Sequence, residues 1–218
     1  MPRITDYTSL LQKTLGIGSA NAAGSFQLSS LNSRSVQAQL KAAGINTNSK
    51  QYKAAVREMM ANGNGAMFTN IQCIKNSMKC YDSDGDYICP TTGLAGLLVT
   101  DANEATRKRI IPIPESSKDE MFEQTKREFL RENGVLNGDT TRRSHVYTNL
   151  YRKMPKNDRL AAGYTMERYE RSYRQAFLDA ARQADPDWTI GSPIPPGALD
   201  NVTRESVEGG QRSIDMKI

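Results

Sequence analysis

The residues best suited to chemistry lie in Asp82-Ser83-Asp84-Gly85-Asp86-Tyr87. Three carboxylates at alternate positions can converge on one hard cation, and the glycine permits the sharp bend such a loop needs. Asp82, Asp84 and Asp86 are therefore candidate ligands for a calcium ion of structural rather than catalytic use. Two readings compete with it: a solvated turn, which the Asp-Gly dipeptide favours because it is among the commonest in turns, and a catalytic carboxylate cluster.

The pattern resembles the first half of an EF-hand-type calcium loop over about eight residues. Its register does not complete one. With Gly85 as the sixth position the first ligand is Cys80 and the twelfth Thr91; with Asp82 as the first, the glycine falls fourth and the twelfth residue is Gly93. Neither register supplies the bidentate glutamate, so the expected affinity is weak, on the order of 10⁻⁴ to 10⁻³ M.

His145 is the only imidazole and sits in Arg142-Arg143-Ser144-His145-Val146-Tyr147. Acid–base use would require a nucleophile and an orienting acid brought to it by the fold, and no short motif names either. Ser144 points about 100° away around a helix and does not face its neighbour. Cys73, Cys80 and Cys89 are spaced by six and eight residues rather than as a short metal knuckle, which argues against structural zinc. Their odd number does not describe a disulfide scaffold, although Cys80 and Cys89 flank the acidic loop and could meet in an oxidising compartment. No Walker loop, dinucleotide fingerprint, nucleophile elbow or His-Glu-x-x-His pattern occurs, so nucleotide and hydrolase readings lack support.

Charge offers another route. Residues 142–182 carry ten basic and four acidic side chains, an excess larger than the net +5 of the whole chain. Arg142, Arg143, Arg168, Arg171 and Arg174, with tyrosines between them, could hold phosphates and stack bases of a nucleic acid. The same tyrosines fall on core-facing stripes, and the arginines alternate with glutamates as a solvated helix face does, which an acidic protein partner could also use.

These residues must be positioned by elements that the pattern of apolar side chains forecasts. The chain has 218 residues, 38% hydrophobic and 24% charged, with mean hydropathy −0.61. That is an irregular, mainly α-helical single domain with flexible ends rather than a chain packed throughout. The longest apolar run, Leu94 to Val99, is far short of a membrane span. A standard secretory signal is missing after Met1, so the expected place is the cytoplasm, or outside by another export route.

Residues 1–34 read as a polar lead holding one short amphipathic helix opened by Asp6, followed by a Gly/Ser/Ala linker. Val36, Leu40 and Ala43 forecast a helix ending at Gly44, and Tyr52, Val56, Met59 and Met60 another opened by the Asn46-Thr47-Asn48-Ser49 cluster. Residues 66–79 suggest a third. The run from Leu94 and the segment Arg107–Ile111 suggest a small β-hairpin. Ser117-Lys118-Asp119-Glu120 reads as a capping box for a helix over 117–132, and further helices should run from Asp139 to Met154 and from Thr165 to Ala184. Met121, Phe122, Phe129, Leu150, Tyr169, Tyr173 and Phe177 are the expected core. The body spans 35–188, and 189–218 forms an extended Pro/Gly-rich tail anchored by Trp188 and Ile190.

With catalytic motifs absent and both ends resembling docking segments, the expectation is a non-catalytic interaction or structural protein with a protein partner, stabilised by a weakly bound calcium ion and by no other cofactor. A nucleic-acid-binding helical protein is the first alternative, and an enzyme using His145 the second.

Overall fold

A computed structural model describes residues 24–63, 65–133 and 142–215; for 210–215 it describes the backbone alone. The helix opened by Asp6 and its linker lie outside the described residues. The protein is mainly helical, as its apolar spacing forecasts, with seven α-helices and two two-stranded antiparallel sheets among the described residues. It divides into two compact units, Met1–Leu98 and Val99–Ile218.

In the first unit each helix starts where a short polar side chain can satisfy an orphan N–H. Ser33 caps α1 (Arg34–Ala42), Ser49 caps α2 (Lys50–Asn62) and Asn70 caps α3 (Ile71–Met78) through the amides of Val36, Tyr52 and Cys73. Gly44, at φ +76°, ends α1, and the Ile45 amide turns back to the Leu40 carbonyl at 3.0 Å. The core joins Phe26, Leu28, Leu31, Val36, Leu40, Ile45, Tyr52 and Ile74. The lead is therefore part of this unit from Phe26 onward: β1 (Phe26–Gln27) pairs with β2 (Phe68–Thr69), Phe26 opposite Thr69.

That pairing corrects the helix expected over 66–79. From Ala66 to Thr69 exposure alternates residue by residue, the period of a strand, and Asn70 then opens a shorter helix. A second correction concerns the hairpin. Leu94–Ala95 (β4) pairs backward with Ile88–Cys89 (β3) rather than forward with Arg107–Ile111, because Gly93 at φ +69° closes the turn between them and its amide bonds the Cys89 carbonyl at 2.8 Å.

The second unit packs α4 (Glu115–Glu132), α5 (Arg142–Lys153) and α6 (Arg159–Ala184) around an aromatic centre. Phe122 meets Tyr173 edge-on at 5.2 Å and Phe177 at 5.3 Å, and Phe129 lies against both Phe177 and Trp188. All seven expected core residues take part, Tyr169 from the margin. Two helix starts differ from expectation. Pro114, not Ser117, is the N-cap of α4; its carbonyl takes the Ser117 amide at 2.9 Å, which leaves Ser117 buried inside the first turn. Helix α6 begins at Arg159, and Thr165 is an interior residue whose hydroxyl returns to the Ala161 carbonyl at 2.9 Å.

The segment after Trp188 is more ordered than an extended tail. Trp188 is buried and its indole N–H donates to the carbonyls of Ser192 and Pro193, both at 3.2 Å. Buried Asn133 joins the end of α4 to this turn, donating to the Phe129 carbonyl and accepting from the Gly191 amide at 2.7 Å. Ile190 is 61% exposed, so the tryptophan anchors the segment without it. Leu199 enters the core, and Arg204–Asp215 forms α7.

Candidate functional site

The acidic loop of the first unit is built by three sets of local bonds. Asp82 Oδ1 accepts the amides of Asp84 at 3.0 Å and Asp86 at 2.9 Å. The Asp82 amide donates to the Asp86 carbonyl at 2.9 Å, and Tyr81 and Tyr87 form an antiparallel bridge with their rings edge-on at 5.9 Å. Gln51 of α2 donates to the carbonyls of Met78 and Tyr81, which ties the loop's entrance to a helix. An oxygen from each of Asp82, Asp84 and Asp86 lies within 4.8 Å of the other two. The sequence-predicted ligands are thus brought together, Asp84 and Asp86 on the exposed side.

Oxygen-only donors suit a hard ion such as calcium. Gly85 is required twice over: its φ is +84°, and a Cβ there would stand 2.9 Å from the Lys50 carbonyl oxygen. Gly85→Ala should therefore destabilise the loop by about 1–3 kcal/mol, read as faster amide hydrogen exchange over 81–88 with the core of the same unit unchanged.

The cysteines beside the loop are thiols rather than half-disulfides. The Ile88 amide donates to the Cys80 carbonyl at 2.8 Å, so Ile88 rather than Cys89 stands opposite Cys80. Burial pushes the Cys80 thiol above its usual pKa. Burial acts the same way on Cys89, but hydrogen bonds from Thr92 and Thr91 outweigh it and bring that thiol below the usual value. Burial, with the Glu58 charge nearby, also raises the Tyr81 phenol well above its ordinary range.

In the second unit His145 is exposed and lines an open groove of about 480 Å³ between α4 and α5. Glu120, Glu123 and Arg127 face it from α4, and Arg142 and Asn149 from its own helix, each set at helical i, i+3, i+7 spacing. The groove does bring the imidazole near carboxylates. Glu120, however, is already engaged by Asn149 at 3.3 Å and Lys153 at 3.5 Å.

Of the five arginines offered for nucleic acid, three pair with carboxylates and Arg168 is exposed on α6. Arg143 pairs with Glu170 at 2.6 Å, Arg171 with Glu167 and Arg174 with Glu132, while Arg142 lines the His145 groove. Tyr147 also donates to Glu170 at 2.9 Å, and burial with that negative neighbour raises its phenol pKa.

Sequence reasoning missed a charged cluster that fixes α7. Lys118, buried on α4, meets Glu115 at 2.8 Å and Glu208 at 3.4 Å and lies 4.8 Å from the centre of the Tyr169 ring. Glu208 accepts from the Tyr173 hydroxyl at 2.6 Å, and Arg204 binds Glu115, Glu208 and Asp119. Burial alone would lower the Lys118 pKa, but Glu115 and the other negative neighbours hold it above the usual ammonium value. One signal was available: Lys118 falls on the stripe Phe122, Thr125, Phe129, where a lysine must find a buried partner.

Fold and site together define a mainly helical protein carrying an acidic surface loop. Residues 45–218 match the family described as Domain of unknown function (DUF3879), and the chain belongs to that family. The match takes in the acidic loop and the whole of the second unit. No curated protein and no solved structure matches the chain. No helix of the described residues is long and apolar enough to cross a membrane.

Proposed function

We propose that the chain is a non-catalytic interaction or structural protein whose acidic loop takes up a calcium ion. The observation that carries the reading is the convergence of Asp82, Asp84 and Asp86 oxygens within 4.8 Å on a loop braced against α2. A cation bound by surface-loop carboxylates, with carbonyls and water completing its shell, has the loop itself to order, and this is a structural use.

With a dissociation constant on the order of 10⁻⁴ to 10⁻³ M, several millimolar calcium adds about 1–2 kcal/mol to the stability of the first unit. Thermal melting with and without calcium tests this: the wild-type transition should rise by a few degrees and that of Asp84→Ala should stay in place. Equal shifts in both proteins would mean that calcium acts elsewhere.

A further inference from the structure

We infer that the groove between α4 and α5 is a binding site for a short peptide zwitterion, a dipeptide in length, with its carboxylate at Arg127 and Arg142 and its ammonium group at Glu123. The site lies within the second unit and does not involve the acidic loop.

The groove has a direction. Asn149 of α5 donates to Glu120 of α4 at 3.3 Å, and Lys153, one turn later, reaches Glu120 at 3.5 Å and Ser117 at 3.3 Å. Going forward along α5 therefore goes back along α4, so the start of α5 lies beside the later turns of α4. Arg142 and Arg127 share one end, and Glu123 and Glu120 lie toward the other. A groove with a positive end and a negative end complements a ligand that carries both charges.

The charges in this groove are also the ones the fold leaves unused. Arg109, Arg143, Arg171, Arg174 and Arg204 each pair with a carboxylate of the chain itself. Glu123, Arg127, Arg142 and His145 differ: all four are exposed, and none has an ion pair or side-chain hydrogen bond among the described residues. Beneath them lie two buried residues, Val146 and Gln124, the latter only 5% exposed. Gln124 Nε2 donates to Glu128 at 2.9 Å, whereas its Oε1 accepts from no group among the described residues. A buried amide oxygen left without a donor beside a groove favours a ligand that brings an N–H.

Length selects among zwitterions. Glu123 and Arg127 are four residues apart, about 6 Å along the helix axis. One extended residue spans at most about 3.6 Å and two about 7 Å, so a free amino acid falls short and a dipeptide bridges the two charges. A dipeptide also has one peptide N–H at its middle, which suits Gln124, placed between Glu123 and Arg127 on α4. Arg127 and Arg142 hold the carboxylate through paired N–H donors. The groove is open on its outer side, so it reads the two charged ends and their separation rather than the ligand's side chains.

The test uses alanyl-alanine as the probe and the imidazole of His145, the only histidine in the chain, as the reporter. Its proton resonances in the full chain should shift saturably on titration at constant pH. N-acetyl-alanyl-alanine, which lacks the ammonium group, and alanyl-alanine amide, which lacks the carboxylate, should each bind at least tenfold more weakly, and so should free alanine. Arg127→Gln should weaken alanyl-alanine binding at least tenfold while the melting temperature stays near wild type, since this side chain has no partner among the described residues. No saturable shift at tens of millimolar alanyl-alanine would overturn the inference, as would equal binding of either blocked dipeptide or of free alanine. Those comparisons are made on the wild-type chain, so they decide the matter even if the variant misfolds.

Discussion

Glu208→Ala should be a damaging single change in the second unit, lowering its stability by about 2–3 kcal/mol, because the buried Lys118 is left with the exposed Glu115 as its remaining carboxylate partner. Lys118 and Glu208 have side chains only 7% and 11% exposed, so water does little to replace the lost carboxylate. The Tyr173 hydroxyl loses its acceptor in the same change. Replacing both partners by apolar residues, as in Lys118→Met/Glu208→Leu, should cost far less, since no unpaired charge remains. Urea unfolding followed by Trp188 emission reads both, as this is the only tryptophan and it is 5% exposed. A double variant as unstable as Glu208→Ala would mean that α7 is held by these charges in some way other than mutual neutralisation.

Phe177→Ala should cost about 3–5 kcal/mol in the same measurement, through lost burial and the cavity left behind. Its ring is fully buried and stands 5.3 Å from Phe122 and 5.7 Å from Phe129, so two aromatic neighbours on α4 lose contact. Ile190→Ala, at a position 61% exposed, should change stability by no more than about 0.5 kcal/mol. A large effect at Ile190 would show that the tail makes contacts beyond those of Trp188.

The helices of both units were legible because their signals are local. Ser33, Ser49 and Asn70 each place a hydroxyl or amide oxygen where a helix leaves N–H groups unpaired, and the Phe122, Phe129, Tyr173 and Phe177 stripes repeat at helical spacing. Strand pairing was harder to read. Phe68-Thr69 is two residues long and finds its partner at Phe26-Gln27, a separation at which no short-range pattern competes with helical periodicity. Helix α7 escaped for a different reason. It is held through Arg204 and Glu208, which read as solvent-facing charges until Lys118 and Tyr173 are placed beside them.

The acidic loop was legible as composition but not as geometry. Alternate aspartates and a glycine gave the chemistry, whereas the position of Gly85 against the Lys50 carbonyl, and Gln51's hold on the entrance, depend on a helix some thirty residues earlier in the chain. The arginines of 142–182 show the converse. Their surplus is plain in the sequence, and Arg143, Arg171 and Arg174 are then found beside Glu170, Glu167 and Glu132, the last of them forty-two residues away.

Calorimetric titration of the full chain with calcium tests the functional account most directly. The account predicts one binding event with a dissociation constant on the order of 10⁻⁴ to 10⁻³ M, abolished by Asp84→Ala and retained in His145→Ala. No heat of binding up to several millimolar calcium, or a titration unchanged by Asp84→Ala, would contradict it and leave residues 82–86 as a polar turn.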